Sequence, residues 1–335
     1  MNILIAEFCG LGNSVLLSST FRSLKNHPNL KLFFVGNNKY SGLSIHNHSK
    51  YIDEIIDISN LNLKSFKKLK NLIRSCDQII IPEHSNPSIL FLVVITFYFK
   101  KHIKISSNFF KRLHFFKKII FNFLSFIKNI KIEKINFPNN IHEIEINRIF
   151  ITDLLETEEN IKEDIFDNYF DHPGNPNCIK KFNLEDKKYI VIQPFCANGL
   201  NNFGILSKSW SASNFSKLTD FLLDNYKDYL IVFVGDKGDG NNQLDYANNN
   251  RIFNLISQTT IEELISILKN SNFIICHDSS ILHLSDSMKL KNLSLFGPTN
   301  FNKNKPNNSQ SFFIKKNTMS EISFNEVTEI LKKNI

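Results

Sequence analysis

The stretch His277-Asp278-Ser279-Ser280-Ile281-Leu282-His283 gathers a carboxylate, two hydroxyls and two imidazoles, and Phe296-Gly297-Pro298-Thr299-Asn300 follows thirteen residues later. An apolar run, Asn272-Phe273-Ile274-Ile275-Cys276, leads into the first segment and reads as a buried strand. Asp278, Ser279 and Ser280 are residue types that cap helices, so a helix is expected to begin there. That geometry aims unpaired backbone N–H groups at the carboxyl edge of a sheet, where an anionic ligand such as a diphosphate would sit.

Two further turns carry chemistry. The strand-like Ile3-Leu4-Ile5 ends in Glu7-Phe8-Cys9-Gly10-Leu11-Gly12-Asn13-Ser14, and an apolar helix starts at Val15-Leu16-Leu17. Gly10 and Gly12 let the backbone turn sharply and approach a ligand, although turn geometry alone would also select them. Val15 stands where a dinucleotide fingerprint needs its third glycine, so this is not such a fingerprint. In the second half, Ile190-Val191-Ile192-Gln193-Pro194-Phe195 enters a Gly/Asn-rich loop and then Ser207-Lys208-Ser209-Trp210-Ser211. Lys208 is expected just before a helix, at the same sheet edge as Asp278, either as a solvated loop cation or as a cation on a phosphate. Trp210, the only tryptophan, reads first as a packing anchor.

These turns must be positioned by an alternating scaffold. Strands are expected at 2–7, 31–35, 77–82, 189–194, 230–235, 252–255, 272–276 and 291–296. Helices are expected near 14–26, 64–75, 140–155, 212–226, 260–270, 280–289 and 320–335, with a long helical and mixed region over 87–130. Alternation of this kind implies parallel sheets covered on both faces. The turn-forming run 170–177 is the best linker candidate. The expected organisation is a first Rossmann-like domain over 1–175, a second over 183–318, and a closing helix over 320–335 that packs back on the first.

Composition bounds the class. The chain has 335 residues, 42% of them apolar, enough to bury large cores in two domains. The five cysteines form no CxxC pair and no framework spacing, which fits a reducing cytosol. No basic–apolar leader follows Met1, and the longest apolar run, Ile89 to Phe99, has only 11 residues. A soluble, cytoplasmic protein is expected.

The net charge of +8 is concentrated. No acidic residue lies between Glu83 and Glu133, while Lys100, Lys101, Lys104, Lys111, Arg112, Lys117, Lys118, Lys128 and Lys131 supply nine positive charges. Phe and Ile interleave with them at helical spacing. Either this helix packs its Phe face on the core and solvates its lysines, or it rests on anionic lipid at the inner face of the cytoplasmic membrane. No nucleic-acid module is recognisable, and nucleic acid is not an expected partner.

Taken together, these residues resemble glycosyltransferase family 9, best known for ADP-heptose lipopolysaccharide heptosyltransferases. The matching pieces are Ile3-Leu4-Ile5 with Gly10-Leu11-Gly12-Asn13, Tyr51-Ile52-Asp53-Glu54-Ile55-Ile56, His142-Glu143 before a helix, and Lys208-Ser209-Trp210. Gly235 with Asp239, Asp278-Ser279-Ser280 with His283, and Phe296-Gly297-Pro298-Thr299 complete the set. The order fits from residue 1 to about 300.

The resemblance implies an α/β GT-B architecture, with two Rossmann-like domains whose parallel sheets face an inter-domain cleft. It implies an inverting transfer of heptose or a related sugar from a nucleoside-diphosphate sugar to a cell-envelope glycan or glycolipid, with no metal and no cofactor. The Ser279 and Ser280 amides and the His283 side chain would hold the diphosphate beside Asp278. Lys208 would offset charge as the glycosidic bond breaks, and Asp239 would meet the ribose. Asn13 stands where the family usually has an aspartate base, and an amide cannot take a proton from a hydroxyl. Glu7, or Glu83 followed by His84, are the replacements the sequence offers on the acceptor side, near Gly10 and Gly12. Ser280 replaces a common glycine. A binding or scaffold protein without the base, or a nucleotide-sugar epimerase of the same fold, are the alternatives.

Overall fold

A computed structural model describes residues 1–25, 29–37, 42–59, 62–82, 94–95, 97–99, 102–106, 114–138, 140–155, 170–197, 199–201, 204–236 and 249–335. The chain forms two units, Met1–Tyr169 and Phe170–Ile335.

In the first unit the elements are β1 (Asn2–Ala6), α1 (Leu11–Lys25), β2 (Lys31–Gly36), β3 (Glu54–Asp57), α2 (Leu63–Ser75), β4 (Gln78–Ile81), β5 (His102–Ser106), α3 (Phe115–Ile127), β6 (Lys131–Ile135) and α4 (Glu143–Leu155). The second contains α5 (Asn177–Lys181), β7 (Lys188–Ile192), β8 (Gly199–Asn201), β9 (Gly204–Leu206), α6 (Ala212–Asn225), β10 (Tyr229–Phe233) and β11 (Ile252–Asn254). It continues with α7 (Ile261–Lys269), β12 (Phe273–His277), α8 (Ser280–Ser287), β13 (Asn292–Phe296), α9 (Phe301–Asn304), β14 (Ser311–Lys315) and α10 (Phe324–Asn334).

Each unit holds a six-stranded sheet, ordered β3-β2-β1-β4-β5-β6 and β11-β10-β7-β12-β13-β14, while β8 and β9 pair separately as an antiparallel ribbon. Every pairing in the two large sheets is parallel. Near-continuous Ile/Val/Leu/Phe runs in β1, β7, β12 and β13 follow from burial on both faces. Within each unit the chain therefore starts on a central strand, winds one way, and returns on that strand's other side. This is the doubly wound Rossmann order, and it leaves a crevice at the carboxyl ends of β1 and β4, and of β7 and β12.

Several expectations need correction. The region 87–130, expected as helical and mixed, contains a strand, β5, and β3, β6, β8, β9 and β14 were not expected as strands at all. β5 carries His102 and Lys104, and β6 reads Lys-Ile-Glu-Lys-Ile, so charge masks the apolar signal; β6 and β14 are also sheet edges. The expected linker 170–177 is packed into the second unit. Phe170 and His172 are buried, Gly174 N–H donates to His172 Nδ1 (3.0 Å), and Asn175 N–H donates to the Glu262 carbonyl (3.0 Å). The closing helix, expected to return to the first domain, buries Val327 and Leu331 in the second unit's core with Trp210, Phe215 and Ile314. The Phe-rich helix α3 does not pack its Phe face inward: Phe121 and Ser125 are its buried residues. Among the described residues no helix is long and apolar enough to cross a membrane.

Candidate functional site

In the second unit β12 is buried along its whole length and delivers His277 and Asp278, both buried, to the carboxyl edge of the sheet. The Ser279 backbone is extended and α8 starts at Ser280. Four helices elsewhere, α2, α6, α7 and α10, satisfy their first turn with the side chain of Asn62, Ser211, Thr260 or Ser323. α8 does not: Ser279 is its N-cap residue but makes no cap hydrogen bond. Its hydroxyl instead donates to Gln193 Oε1 (2.5 Å), at the end of neighbouring β7. Asp278, expected to cap, also turns away, its Oδ2 accepting from Asn304 Nδ2 (3.2 Å) and lying 3.8 Å from Lys208 Nζ. The N-terminus of α8 thus lacks a side-chain cap, and its partial positive charge faces the crevice between β7 and β12.

Lys208 is brought to this helix end. Its ammonium donates to the Asp278 carbonyl (3.1 Å), and its side chain stays 23% exposed, so it can reach solvent-borne anions. The loop that carries it is clamped at two points. Ser209 Oγ accepts from the Cys196 N–H (3.1 Å) and donates to the Cys196 carbonyl (3.3 Å). The Trp210 N–H donates to His277 Nε2 (3.0 Å) and its indole N–H to the Ile322 carbonyl (2.9 Å), with the ring edge-on to Phe215. Trp210 is therefore a packing anchor, and what it anchors is the lysine loop. Complete burial and the nearby Lys208 charge push the His277 pKa down to about 3. The ring is neutral at pH 7, with Nε2 the acceptor and the proton on Nδ1.

The remaining residues expected on this side fall as follows. Ser280 opens α8 and is half-buried, and His283, nearly buried, lies one turn further on, its N–H donating to the Ser279 carbonyl (3.3 Å). Residues i and i+4 share a helix face, so His283 follows Ser279 along one side of α8. Asp239 lies outside the described residues. Gly297, after β13, has a fold reason: a Cβ there would come within 2.7 Å of the Met319 side chain and 3.0 Å of its backbone nitrogen. Asp286 is structural, its carboxylate accepting from the N–H groups of Asn307 and Asn308 and from Ser311 Oγ.

The first unit's turn is arranged differently. Glu7 is buried, and its carboxylate accepts from Cys9 Sγ (2.6 Å) and Ser14 Oγ (2.9 Å), with His46 Nε2 at 3.7 Å. Burial, then the Glu7 charge, holds the Cys9 thiol well above its ordinary pKa, and buried Glu143 at the start of α4 adds to the rise. Glu7 is thus engaged on both oxygens and poorly suited to the acceptor-side role offered for it. Gly42 closes over this cluster, since a Cβ there would meet Ser14 Oγ and the Cys9 carbonyl. Gly10 is exposed, and a Cβ on it would meet nothing within 4 Å. Gly12 and Asn13 occupy the first turn of α1, both half-buried, and the Asn13 side chain makes no hydrogen bond among the described residues. Glu83 and His84 lie outside the described residues.

Against this geometry, residues 142–333, more than half of the chain, match the family model for glycosyltransferase family 9 (heptosyltransferase). The chain belongs to glycosyltransferase family 9. It is 26% identical over 142 residues to lipooligosaccharide heptosyltransferase 2 of Campylobacter jejuni, a match covering 41% of this chain and 41% of that relative. The aligned part is thus about two fifths of the relative's length. The fold is similar to that of E. coli ADP-heptose lipopolysaccharide heptosyltransferase II, with TM-score 0.72 at 15% identity over 99% of this chain and 98% of that one. E. coli heptosyltransferase WaaC, solved with ADP, gives TM-score 0.65 at 13% identity over the full length of both chains. These likenesses support the GT-B assignment of the two Rossmann-like units.

Of the residues expected to act together, the structure brings Lys208 against Asp278, and Ser279 and Ser280 follow Asp278 at the start of α8. Sequence reasoning missed Gln193, which draws the Ser279 hydroxyl off the helix, and Asn304, which shares Asp278 with Lys208. Gln193 carried a signal: a polar residue directly after the Ile190-Val191-Ile192 run, at the end of the first strand of its sheet.

Proposed function

We propose that this family-9 protein is an inverting glycosyltransferase that moves heptose or a related sugar from a nucleoside-diphosphate sugar to a cell-envelope glycan or glycolipid. The observation that carries the reading is the α8 N-terminus, left without a side-chain cap, with Lys208 at 3.1 Å from the Asp278 carbonyl beside it. The amides after Ser279 receive the diphosphate, and Lys208 meets the charge that grows on it. In the step itself, an acceptor oxygen forms a bond to the anomeric carbon from the face opposite the diphosphate. The bond from that carbon to the diphosphate oxygen breaks, its electron pair leaves on the diphosphate, and the acceptor proton passes to a base. Preorganised donors and a cation at a departing oxyanion contribute about 3–4 kcal/mol each. His283 supports the diphosphate from the same helix face, and Asp239 contacts the ribose. No metal or cofactor enters the scheme, because Lys208 and the amides carry the charge.

The base is not Asn13, and the engaged carboxylate of Glu7 disfavours that residue. Glu83 with His84, which follow β4 in the sequence, is the assignment we favour. The protein acts in the cytoplasm, in peripheral contact with the membrane that holds its acceptor. The test is a panel of nucleotide-sugars offered to the purified protein with envelope extract as acceptor, reading release of nucleoside diphosphate. Release with an ADP-heptose-type donor is expected. Binding of nucleoside diphosphates with no turnover of any donor would overturn transfer and favour a binding protein, the alternative that Asn13 motivates.

A further inference from the structure

Helix α3 is built inside out. At 100° per residue, Phe115, Phe116, Ile119, Ile120, Phe123, Phe126 and Ile127 fall within an arc of about 140°. All seven are exposed, between 43% and 85% of their surface. The opposite side holds Phe121, which enters the same core cluster of the first unit as Leu69, Leu72 and Ile73 of α2, together with half-buried Lys117, Lys118 and Lys128. A helix that needed only to cover a sheet would carry these faces the other way round. Its exposed arc is continuous, and a large exposed apolar patch rimmed by polar groups marks a contact surface.

We infer that this face inserts into the surface of an anionic lipid bilayer. Charge supplies the choice of occupant. Lys117 and Lys118 stand about 60° beyond the two borders of the apolar arc, where long side chains lift their ammonium groups to headgroup level while the stems lie along apolar surface. Further basic groups gather alongside. Lys128 Nζ lies 5.7 Å from the Phe97 ring centroid, and Phe97 is itself half exposed. Lys70 Nζ and the Arg74 guanidinium of α2 lie 4.9 and 5.1 Å from the ring of adjacent Tyr98. No carboxylate occurs between Glu83 and Glu133 to offset the lysines of that stretch. A second copy laid face to face would set the same lysine rims against each other, so self-association is disfavoured and a phosphate-bearing surface is favoured. The inference deepens the proposed membrane contact and rests on that reading for its purpose, but its test involves no sugar donor.

The experiment is flotation of the full chain with vesicles of phosphatidylcholine alone or mixed with phosphatidylglycerol. Binding is expected only with phosphatidylglycerol and should weaken with salt, because each basic residue at such a surface is worth roughly a factor of five. A triple variant, Phe116→Ser, Phe123→Ser and Phe126→Ser, removes three exposed rings that the core does not use, and should lower partitioning about a hundredfold at unchanged thermal stability. Equal vesicle binding by the triple variant would overturn the inference. So would a wild-type protein that ignores anionic vesicles and forms a dimer the triple variant abolishes. Failure of sugar transfer alone leaves vesicle binding untouched, so the two readings fail separately.

Discussion

The two units share one strand order, yet their corresponding turns are finished in opposite ways. After β1 the polar groups turn on one another: the Glu7 carboxylate accepts from the Cys9 thiol and the Ser14 hydroxyl in a closed, buried cluster, with His46 beside it at 3.7 Å. In the crevice between β7 and β12 the polar groups are held apart from the ends they could cap. Ser279 is pulled to Gln193, Asp278 to Lys208 and Asn304, and the helix N-terminus is left for something else. One topology supplies the crevice twice, but side-chain pairing finishes its two copies differently.

Five substitutions break or sharpen that contrast. The largest effect is expected from Lys208→Ala, which removes the cation from the open edge and should lower nucleoside-diphosphate release about 10²–10³-fold at unchanged melting temperature. Wild-type turnover in that variant would end the assignment. Next comes Glu7→Gln in the closed cluster. It faces donors with an amide N–H and should cost about 2–3 kcal/mol in denaturant unfolding while diphosphate binding stays intact. A matched loss of binding would show the two edges to be coupled.

Glycines test the same contrast through space. Gly297→Ala must displace Met319 and should destabilise by about 1–3 kcal/mol. Gly10→Ala meets nothing within 4 Å and should leave the melting temperature unchanged. Near neutral pH the smallest effect belongs to His277. Its folded-state pKa, about 3, lies below the ordinary 6.5, so the unfolded chain takes up the proton first. This contribution is complete above pH 6.5 and is lost as pH falls toward 3, at up to about 1.4 kcal/mol per unit. His277→Gln, which keeps an acceptor for the Trp210 N–H, should flatten the acid limb of stability against pH by about one proton. An unchanged slope would mean that His277 is not the group responsible.

Much of this was legible in the residues. Runs such as Ile190-Val191-Ile192 and Phe273-Ile274-Ile275 announce doubly covered strands, and a small polar turn after such a run places a helix N-terminus at the sheet edge. Lys208 could be placed beside Asp278 because each stands on a loop at the carboxyl end of the same sheet. The closed character of the Glu7 cluster was not legible, because its partner His46 enters from a different turn, 39 residues along the chain. The release of the α8 cap was hidden for the same reason, since Gln193 and Ser279 are 86 residues apart. Helix α3 defeated the pattern more directly. Periodicity reports that two faces differ but not which one turns inward, and a single ring, Phe121, anchors the less apolar side. Strands β5, β6 and β14 were concealed by charged or serine-bearing positions that edge and near-edge strands tolerate.

The clamp on the lysine loop has a practical consequence. The chain contains one tryptophan, and that indole is buried with its N–H bonded to the Ile322 carbonyl and its own amide bonded to His277. Under excitation selective for indole, which leaves the eight tyrosines dark, emission from this protein therefore comes from a single known place. A blue-shifted spectrum reports the loop seated, and a red shift or quench on adding nucleotide reports its movement, without any label attached.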